Sequence, residues 1–229
     1  MNPLDLSFEK KLYEKGYQVI AGIDEVGRGA LAGPVVAAAV ILPSDLPFNK
    51  YLKDSKALEE KKREQIVCWF ITEVKIKFGL GFSTVEEIEK LNIHKACLLA
   101  MRRAIFSLEE RPDILLIDGI WSPPGISIPS QAIVKGDAKV ASIAAASLIA
   151  KVSRDSWMIK LGSLYPVYGW EKNKGYGTAS HFEALKINGL SPYHRKSFLV
   201  KRSFSKQTLT DEMEFFSKET KENNTYHES

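Results

Sequence analysis

The sequence predicts an α/β fold built on a mixed sheet, and three features carry that reading. Short apolar runs rich in Val and Ile, at residues 18–24, 34–42 and 114–117, have the length and β-branched character of buried strands. Longer stretches at 58–71, 94–107 and 140–161 either repeat their apolar residues at helical spacing or are rich in Ala, the strongest helix former. The first two strands are separated only by a Gly-rich turn and so form a hairpin, whereas helices intervene before the later strands. A sheet with both kinds of connection is mixed.

Taken in order, the strand at 18–24 and its hairpin partner at 34–42 are followed by a polar loop at 53–57. Leu58-Glu59-Glu60 then opens a helix through about residue 71, with acids in the first turn where the helix macrodipole favours them. A strand is expected over 74–82 and helices over 84–91 and 94–107. Pro112 precedes the strand at 114–117, and residues 132–134 form another. The Ala-rich helix at 140–161 has small side chains that permit close packing on a sheet, and a further helix over 178–188 ends at Gly189. From Arg195 to Lys206 there are five basic residues and no acid, whereas from Gln207 onward there are six acids against two lysines. The chain is therefore divided into a main domain, 1–206, and an acidic appendage, 207–229. The appendage is an amphipathic helix or a loose tail, in which Met213, Phe215 and Phe216 offer some burial.

Composition narrows the function classes. With 229 residues, 45% hydrophobic and 26% charged, the chain is neither disordered, collagenous nor a coiled-coil rod. Its longest nearly unbroken apolar run, 30–42, contains Gly33 and Pro34 and is shorter than the roughly 20 residues of a membrane helix. No basic segment followed by an apolar one opens the chain, so a cytoplasmic location is expected. Cys68 and Cys97 are read as reduced, partly buried thiols, because a zinc site would need closer sulfurs. A net charge of +4 and a pI near 8.9 are compatible with a polyanionic partner.

The informative feature is where the apolar strands stop. Val19-Ile20-Ala21-Gly22-Ile23 runs into Asp24-Glu25, Ile114 to Ile117 runs into Asp118-Gly119, and Ala132-Ile133-Val134 leads through Lys135-Gly136 to Asp137. In an open α/β sheet the carboxyl ends of strands form the ligand crevice, so four acids converge on one cleft. Such carboxylates must take up protons or hold a cation, and an oxygen-only set suits Mg²⁺ or Mn²⁺ rather than zinc. Turn chemistry accounts for Asp118-Gly119 taken alone, but not for two adjacent acids on an apolar strand. Gly27-Arg28-Gly29 with Ala32 nominally fits a dinucleotide fingerprint, yet Pro34-Val35-Val36 follows where a helix should open. The segment is either a backbone nest that approaches a sugar or phosphate, with Arg28 adding charge, or a tight turn with a solvated Arg. Asp54-Ser55-Lys56 precedes a helix and offers amides and Lys56 to a phosphate, or simply starts that helix. Lys172, Lys174, Tyr176, His181, His194, Arg195 and Lys196 interleave bases with an aromatic, as single-strand contacts do, although such a run is more often a solvated face. Both histidines are expected at the surface or as caps. No nucleophile elbow, P-loop or H-E-x-x-H motif occurs.

Gly22-Ile23-Asp24-Glu25-Val26-Gly27-Arg28-Gly29 closely resembles the opening motif of the ribonuclease HII family. The resemblance continues in order through Asp54-Ser55-Lys56, Leu116-Ile117-Asp118-Gly119, Lys135-Gly136-Asp137, residues 142–151, Gly175-Tyr176-Gly177-Thr178 and His194-Arg195-Lys196-Ser197-Phe198. It covers about residues 17–202 and leaves the tail outside. It implies a ribonuclease H-like α/β fold, a mixed five-stranded sheet flanked by helices with a helical C-terminal extension. It also implies hydrolysis of the RNA strand of RNA/DNA hybrids and cutting 5′ to a ribonucleotide embedded in duplex DNA, leaving 3′-hydroxyl and 5′-phosphate ends. The metal-binding and catalytic acids carried over are Asp24, Glu25, Asp118 and Asp137, with two Mg²⁺ or Mn²⁺ ions clamping the scissile phosphate. Gly27, Arg28, Gly29 and Tyr176 would contact the ribose 2′-hydroxyl and the next sugar, the 2′-hydroxyl being what marks RNA. Lys56, Lys135 and Ser142 would contact phosphates, and Asp155 is given a structural role on the long helix. Ala57 departs from the family pattern, in which many relatives have a second lysine.

The implied partners are an RNA/DNA hybrid and a ribonucleotide-containing DNA duplex, with no membrane, and the chain is expected to act as a monomer. The competing reading is a non-catalytic nucleic-acid-binding module, which would show salt-dependent binding without Mg²⁺-dependent products. A sister group acting on longer hybrids carries an additional N-terminal domain; few residues precede the first strand here, so that domain is not expected.

Overall fold

The computed structural model describes residues 4–46 and 59–204. Five strands, β1 (Ile20–Val26), β2 (Val35–Ile41), β3 (Lys77–Ser83), β4 (Ile114–Asp118) and β5 (Ser130–Ile133), form one sheet in the order β3-β2-β1-β4-β5. The hairpin is present: β1 and β2, and β2 and β3, pair antiparallel, while β1/β4 and β4/β5 are parallel. The mixed α/β sheet is therefore the observed one. Its central strands are buried on both faces, which is why they read as continuous apolar runs rather than alternating ones.

One face carries α5 (Ala141–Leu164) and the other α4 (Ile93–Phe106). Ala21, Ile23, Ala37 and Ala39 turn toward Ala96, Ala100 and Ala104 of α4, while Val26, Ala38 and Val40 turn toward Ala141, Ala145 and Leu148 of α5. Small side chains on both partners let the helices settle close to the strands. The limiting case is Gly22, where any Cβ would collide with the backbone of Ser142 and Ile143 at the start of α5. Around this frame lie α1 (Ser7–Tyr13), α2 (Glu60–Trp69) and α3 (Val85–Leu91), and a helical C-terminal part of α6 (Trp170–Asn173), α7 (Ala179–Asn188) and α8 (Lys196–Phe204). That part packs on the second half of α5 through an aromatic core including Met158, Tyr168, Trp170 and Leu199. Among the described residues no helix is long and apolar enough to cross a membrane.

Several boundaries differ from expectation for identifiable reasons. β1 continues past Asp24 to Val26 because β2 still pairs with it there, Asp24 opposite Ala38 and Glu25 opposite Ala37. β3 starts at Lys77 rather than residue 74 because α2 runs on through a π turn, Phe70–Val74, that buries Phe70 and ends at Lys75 in the left-handed region (φ 54°). β5 lies at 130–133 rather than 132–134, since its register is set by pairing with β4, Leu115 opposite Ser130, and Val134 falls outside it, exposed. α5 begins at Ala141, and its N-cap residue, Val140, supplies no side-chain cap. Its first turn is capped instead by Glu9 of α1, whose Oε1 accepts both the Ser142 N–H and the Ser142 hydroxyl at 2.8 Å. The appendage 207–229 and the Asp54-Ser55-Lys56 motif lie outside the described residues.

Candidate active site

β1, β4 and β5 are neighbours running the same way, so their carboxyl ends share one edge of the sheet. The parallel pairing of β1 with β4 ends at Ile23 opposite Ile117, and the next residues are Asp24 and Asp118. Strand alternation turns Asp24 toward the α5 side and Glu25 toward the α4 side. Asp24 is buried, 2% exposed, and its Oδ1 accepts the Glu25 N–H at 2.7 Å. Asp118 is half-buried, and its Oδ1 accepts the Gly136 N–H at 2.7 Å. That bond ties the end of β4 to the 3₁₀ turn Gly136–Ala138, which holds the half-buried Asp137. The structure thus brings the four predicted acids to one edge. Among the described residues no set of three His, Cys, Asp or Glu side chains is arranged to hold a cation.

Gly27-Arg28-Gly29 leaves β1 at the same edge. Gly27 adopts φ +100°, and a Cβ there would strike the Arg154 guanidinium, so both conformation and space demand glycine. Arg28 lies in the solvent, its side chain 58% exposed, with Nη1 3.8 Å from Glu25 Oε1. Beneath the loop sit two arginines, each fully buried. Arg195 donates to the carbonyls of Gly27 (2.8 Å), Arg28 (3.2 Å) and Gly33 (3.0 and 2.8 Å). Arg154 donates to Pro34 (2.9 Å), Ala32 (3.0 Å) and Lys174 (2.9 Å). Burial lowers the pKa of both, that of Arg195 to about 9, which leaves it charged at neutral pH.

Tyr176 stands across from this loop. Its half-buried ring has the Arg154 guanidinium 5.2 Å and the Lys151 ammonium 5.8 Å from its centroid, a cation–π setting. Leu31 and Ala32 donate backbone bonds to the Gly175 carbonyl, at 2.8 and 3.2 Å, so the two loops are stitched together. His181 and His194 depart from expectation: at 0% and 2% exposure they are interior groups, not surface or capping ones. Lys174 and Arg195 are buried too, so of the basic run only Lys172 and Lys196 are exposed and the rest is not a solvated face. Burial of these chains follows from their partners: aromatic rings and backbone carbonyls surround them, which composition alone does not reveal.

Other predicted residues separate into those at the surface and those beneath it. Lys135 is exposed, in the left-handed region (φ 55°), two residues before Asp137. Ser142 is a correction. It is fully buried, and its hydroxyl and N–H are both committed to Glu9, so it is placed to hold α5 and not to meet a phosphate. Asp155 has the structural place expected of it, 4% exposed and bonded to Lys151 at 2.8 Å. Of the thiols, Cys68 is exposed and Cys97 buried. Burial, and then the nearby Glu25 carboxylate, push the Cys97 thiol up to about 12. Sequence reasoning missed Glu9 and Arg154 altogether; the one signal available for Arg154 was an arginine inside an otherwise Ala-rich helix.

A family model described as Ribonuclease HII matches residues 21–207. A curated relative, ribonuclease HII from Endomicrobium trichonymphae, is 50% identical over 202 residues, covering 88% of this chain and 95% of the relative. Among solved structures, the ribonuclease H2 of Pyrococcus horikoshii OT3 superposes with a TM-score of 0.65 at 25% identity, over 79% of this chain and 93% of that one. Bst-RNase HIII in complex with Mn²⁺ shares the fold, with a TM-score of 0.56 at 20% identity, over 75% of this chain and 63% of that one. With half of the aligned residues identical across nearly the whole of a curated relative, and with the same sheet, the chain belongs to the ribonuclease HII family and is an endonuclease of the ribonuclease H type.

Proposed function

We propose that the protein is a metal-dependent endoribonuclease that hydrolyses the RNA strand of RNA/DNA hybrids and cuts 5′ to single ribonucleotides in duplex DNA, leaving 3′-hydroxyl and 5′-phosphate ends. The observation that supports this best is the adjacency of β1, β4 and β5, which carries Asp24, Glu25, Asp118 and Asp137 to one edge beside the Gly27-Arg28-Gly29 loop. The donor chemistry suits the cation, four carboxylates with no sulfur or imidazole being the hard oxygen ligands that Mg²⁺ and Mn²⁺ prefer, although their side chains share an edge without being gathered around one point. Two such ions, when bound, supply neutralisation of phosphate charge and a lowered pKa for the attacking water.

The remaining work falls to the chain itself. Asp24 and Asp118, each fixed by a backbone N–H at 2.7 Å, hold their carboxylates in set orientations toward the scissile phosphate. The Gly27–Gly29 backbone meets the ribose 2′-hydroxyl, the atom that distinguishes RNA from DNA. Arg28 adds positive charge for the phosphate, and Tyr176 packs beside the sugar of the following deoxynucleotide. Lys135 contacts the backbone, and Lys56 is assigned the same task.

The test is incubation of the purified protein with a duplex containing one ribonucleotide and with an all-DNA control, in Mg²⁺, Mn²⁺ or chelator. Cleavage 5′ to the ribonucleotide only with metal is expected. Asp24→Asn should abolish it while leaving melting and duplex binding nearly unchanged; turnover at the normal rate by that variant would overturn the assignment. Tyr176→Ala should lower cutting at a single ribonucleotide more than cutting within long hybrids, and equal losses would remove Tyr176 from the recognition surface.

A further inference from the structure

The segment 191–195 reaches both sides of this recognition surface at once. Its Arg195 holds the Gly27 and Arg28 carbonyls from below, as described. Its His194 starts a chain of hydrogen bonds that ends at Tyr176, and the proton positions along that chain follow from its donors. The Ser191 N–H donates to His194 Nδ1 at 2.9 Å, and a backbone amide can only donate. His194 Nδ1 is therefore a lone pair, and the neutral ring carries its proton on Nε2. That nitrogen lies 3.1 Å from His181 Nε2. The Trp170 indole N–H, also donor only, points at the same His181 Nε2 at 3.1 Å. His181 Nε2 is thus the acceptor of both, and its proton sits on Nδ1, 2.9 Å from the Tyr176 carbonyl oxygen.

One arrangement of protons sets no donor against another donor: two donors share the single lone pair of His181 Nε2, the Ser191 hydroxyl lies 2.9 Å from His194 Nδ1 beside the Ser191 N–H, and the chain runs one way, from Ser191 through His194 and His181 to Tyr176. We propose that His194 is a positioning residue that, through His181, fixes the Tyr176 backbone opposite the Gly27–Gly29 loop, and so sets discrimination for a ribonucleotide–deoxyribonucleotide junction. The inference rests on the reading of Tyr176 given above. An added proton on either ring would set N–H against N–H in the interior, and burial accordingly lowers the pKa of both rings. The location also matters: the relay is walled by Tyr168 and Trp170, with ring centroids 4.7 and 5.2 Å from His194, so no water is needed to complete it.

Two substitutions separate the relay from simple packing. The side-chain oxygen of His194→Asn falls where Nδ1 was and can still accept from Ser191, but nothing is left to donate to His181. His194→Gln places an N–H donor where Nε2 was and gives up the Ser191 bond. The readout is the ratio of kcat/KM for a single embedded ribonucleotide to kcat/KM for a long hybrid, alongside the melting temperature. His194→Asn should lower that ratio by about fivefold, the worth of one neutral hydrogen bond, and His194→Gln should keep it within about twofold. Adding Tyr176→Ala to His194→Asn should lower it no further than Tyr176→Ala does alone. A ratio that Tyr176→Ala lowers and His194→Asn leaves unchanged overturns the relay alone, as does a ratio that falls equally in Asn and Gln in step with melting. A ratio that Tyr176→Ala leaves unchanged overturns the reading of Tyr176, and the relay with it.

Discussion

Replacing Glu9 tests whether a residue 133 positions from Ser142 holds the start of the helix behind the candidate acids. Its Oε1 accepts two bonds at 2.8 Å from Ser142, which is itself fully buried, while its Oε2 is buried with no hydrogen-bond partner among the described residues. Bonds to a charged acceptor contribute about 1.5–3 kcal/mol each, and the stranded Ser142 donors would find no water. Against this, Glu9→Ala relieves the cost of desolvating a carboxylate, of order 1–3 kcal/mol. A net loss of about 3 kcal/mol results, which in a chain of this size lowers the melting temperature by roughly 6–12 °C. Glu9→Gln keeps an oxygen acceptor and should lose only about 1 kcal/mol. The pH dependence separates charge from contact. Burial raises the Glu9 carboxyl above its ordinary 4.5, so the folded state holds the proton more tightly than the unfolded one. Stability from this group is then greatest at low pH and declines as pH rises from 4.5 through the raised value. Calorimetry of the wild type and Glu9→Gln from pH 4 to 8 should show that decline in their difference. A Glu9→Ala melting point within about 2 °C of wild type, or parallel pH curves for wild type and Glu9→Gln, would refute the capping argument.

Gly22→Ala should cost about 3 kcal/mol or more in urea denaturation, because a Cβ there meets α5 backbone that cannot rotate away; an unchanged midpoint would contradict the close approach. With Cys68 exposed and the Cys97 thiol buried and pushed up to about 12, Ellman's reagent at pH 8 should react promptly with one thiol and with the second only after denaturation. His194 is lowered to about 3 and His181 is lowered too, so the unfolded chain takes up protons below 6.5 that the fold refuses. Stability from this pair is complete above 6.5 and lost as pH falls, and His194→Gln should flatten that acid limb in calorimetry.

The acids were legible because a strand has a strict period and a direction: apolar runs ending in Asp24-Glu25 and Asp118 announce a shared edge once the strands are parallel neighbours. Gly22 and Gly27 stood in the same motif, yet only the structure shows what each makes room for, the α5 backbone and the Arg154 guanidinium. The basic run from Lys172 to Lys196 was the harder case. A solvated face and a buried polar network have the same composition, and the difference lies in long-range partners such as Arg195 with Gly27, 168 positions apart. Ser142 misled for a related reason: its partner, Glu9, lies 133 residues away in a helix with no motif of its own.

Those long-range bonds also decide which way the backbone of the Gly27–Gly29 loop faces. In a trans peptide the N–H points opposite to the C=O, and the described chain has no cis peptides. Arg195 draws the Gly27 and Arg28 carbonyls inward, so the amides that share those peptide planes, the N–H groups of Arg28 and Gly29, are turned away from the interior. A buried cation beneath the loop therefore presents two backbone donors on its outer side, beside the acids of β1. The same geometry places the buried Arg195 charge under the loop, while the Arg28 side chain reaches into the solvent at its surface. On the proposed reading, recognition of the 2′-hydroxyl depends on the carbonyls that Arg195 holds as much as on the glycines of the loop.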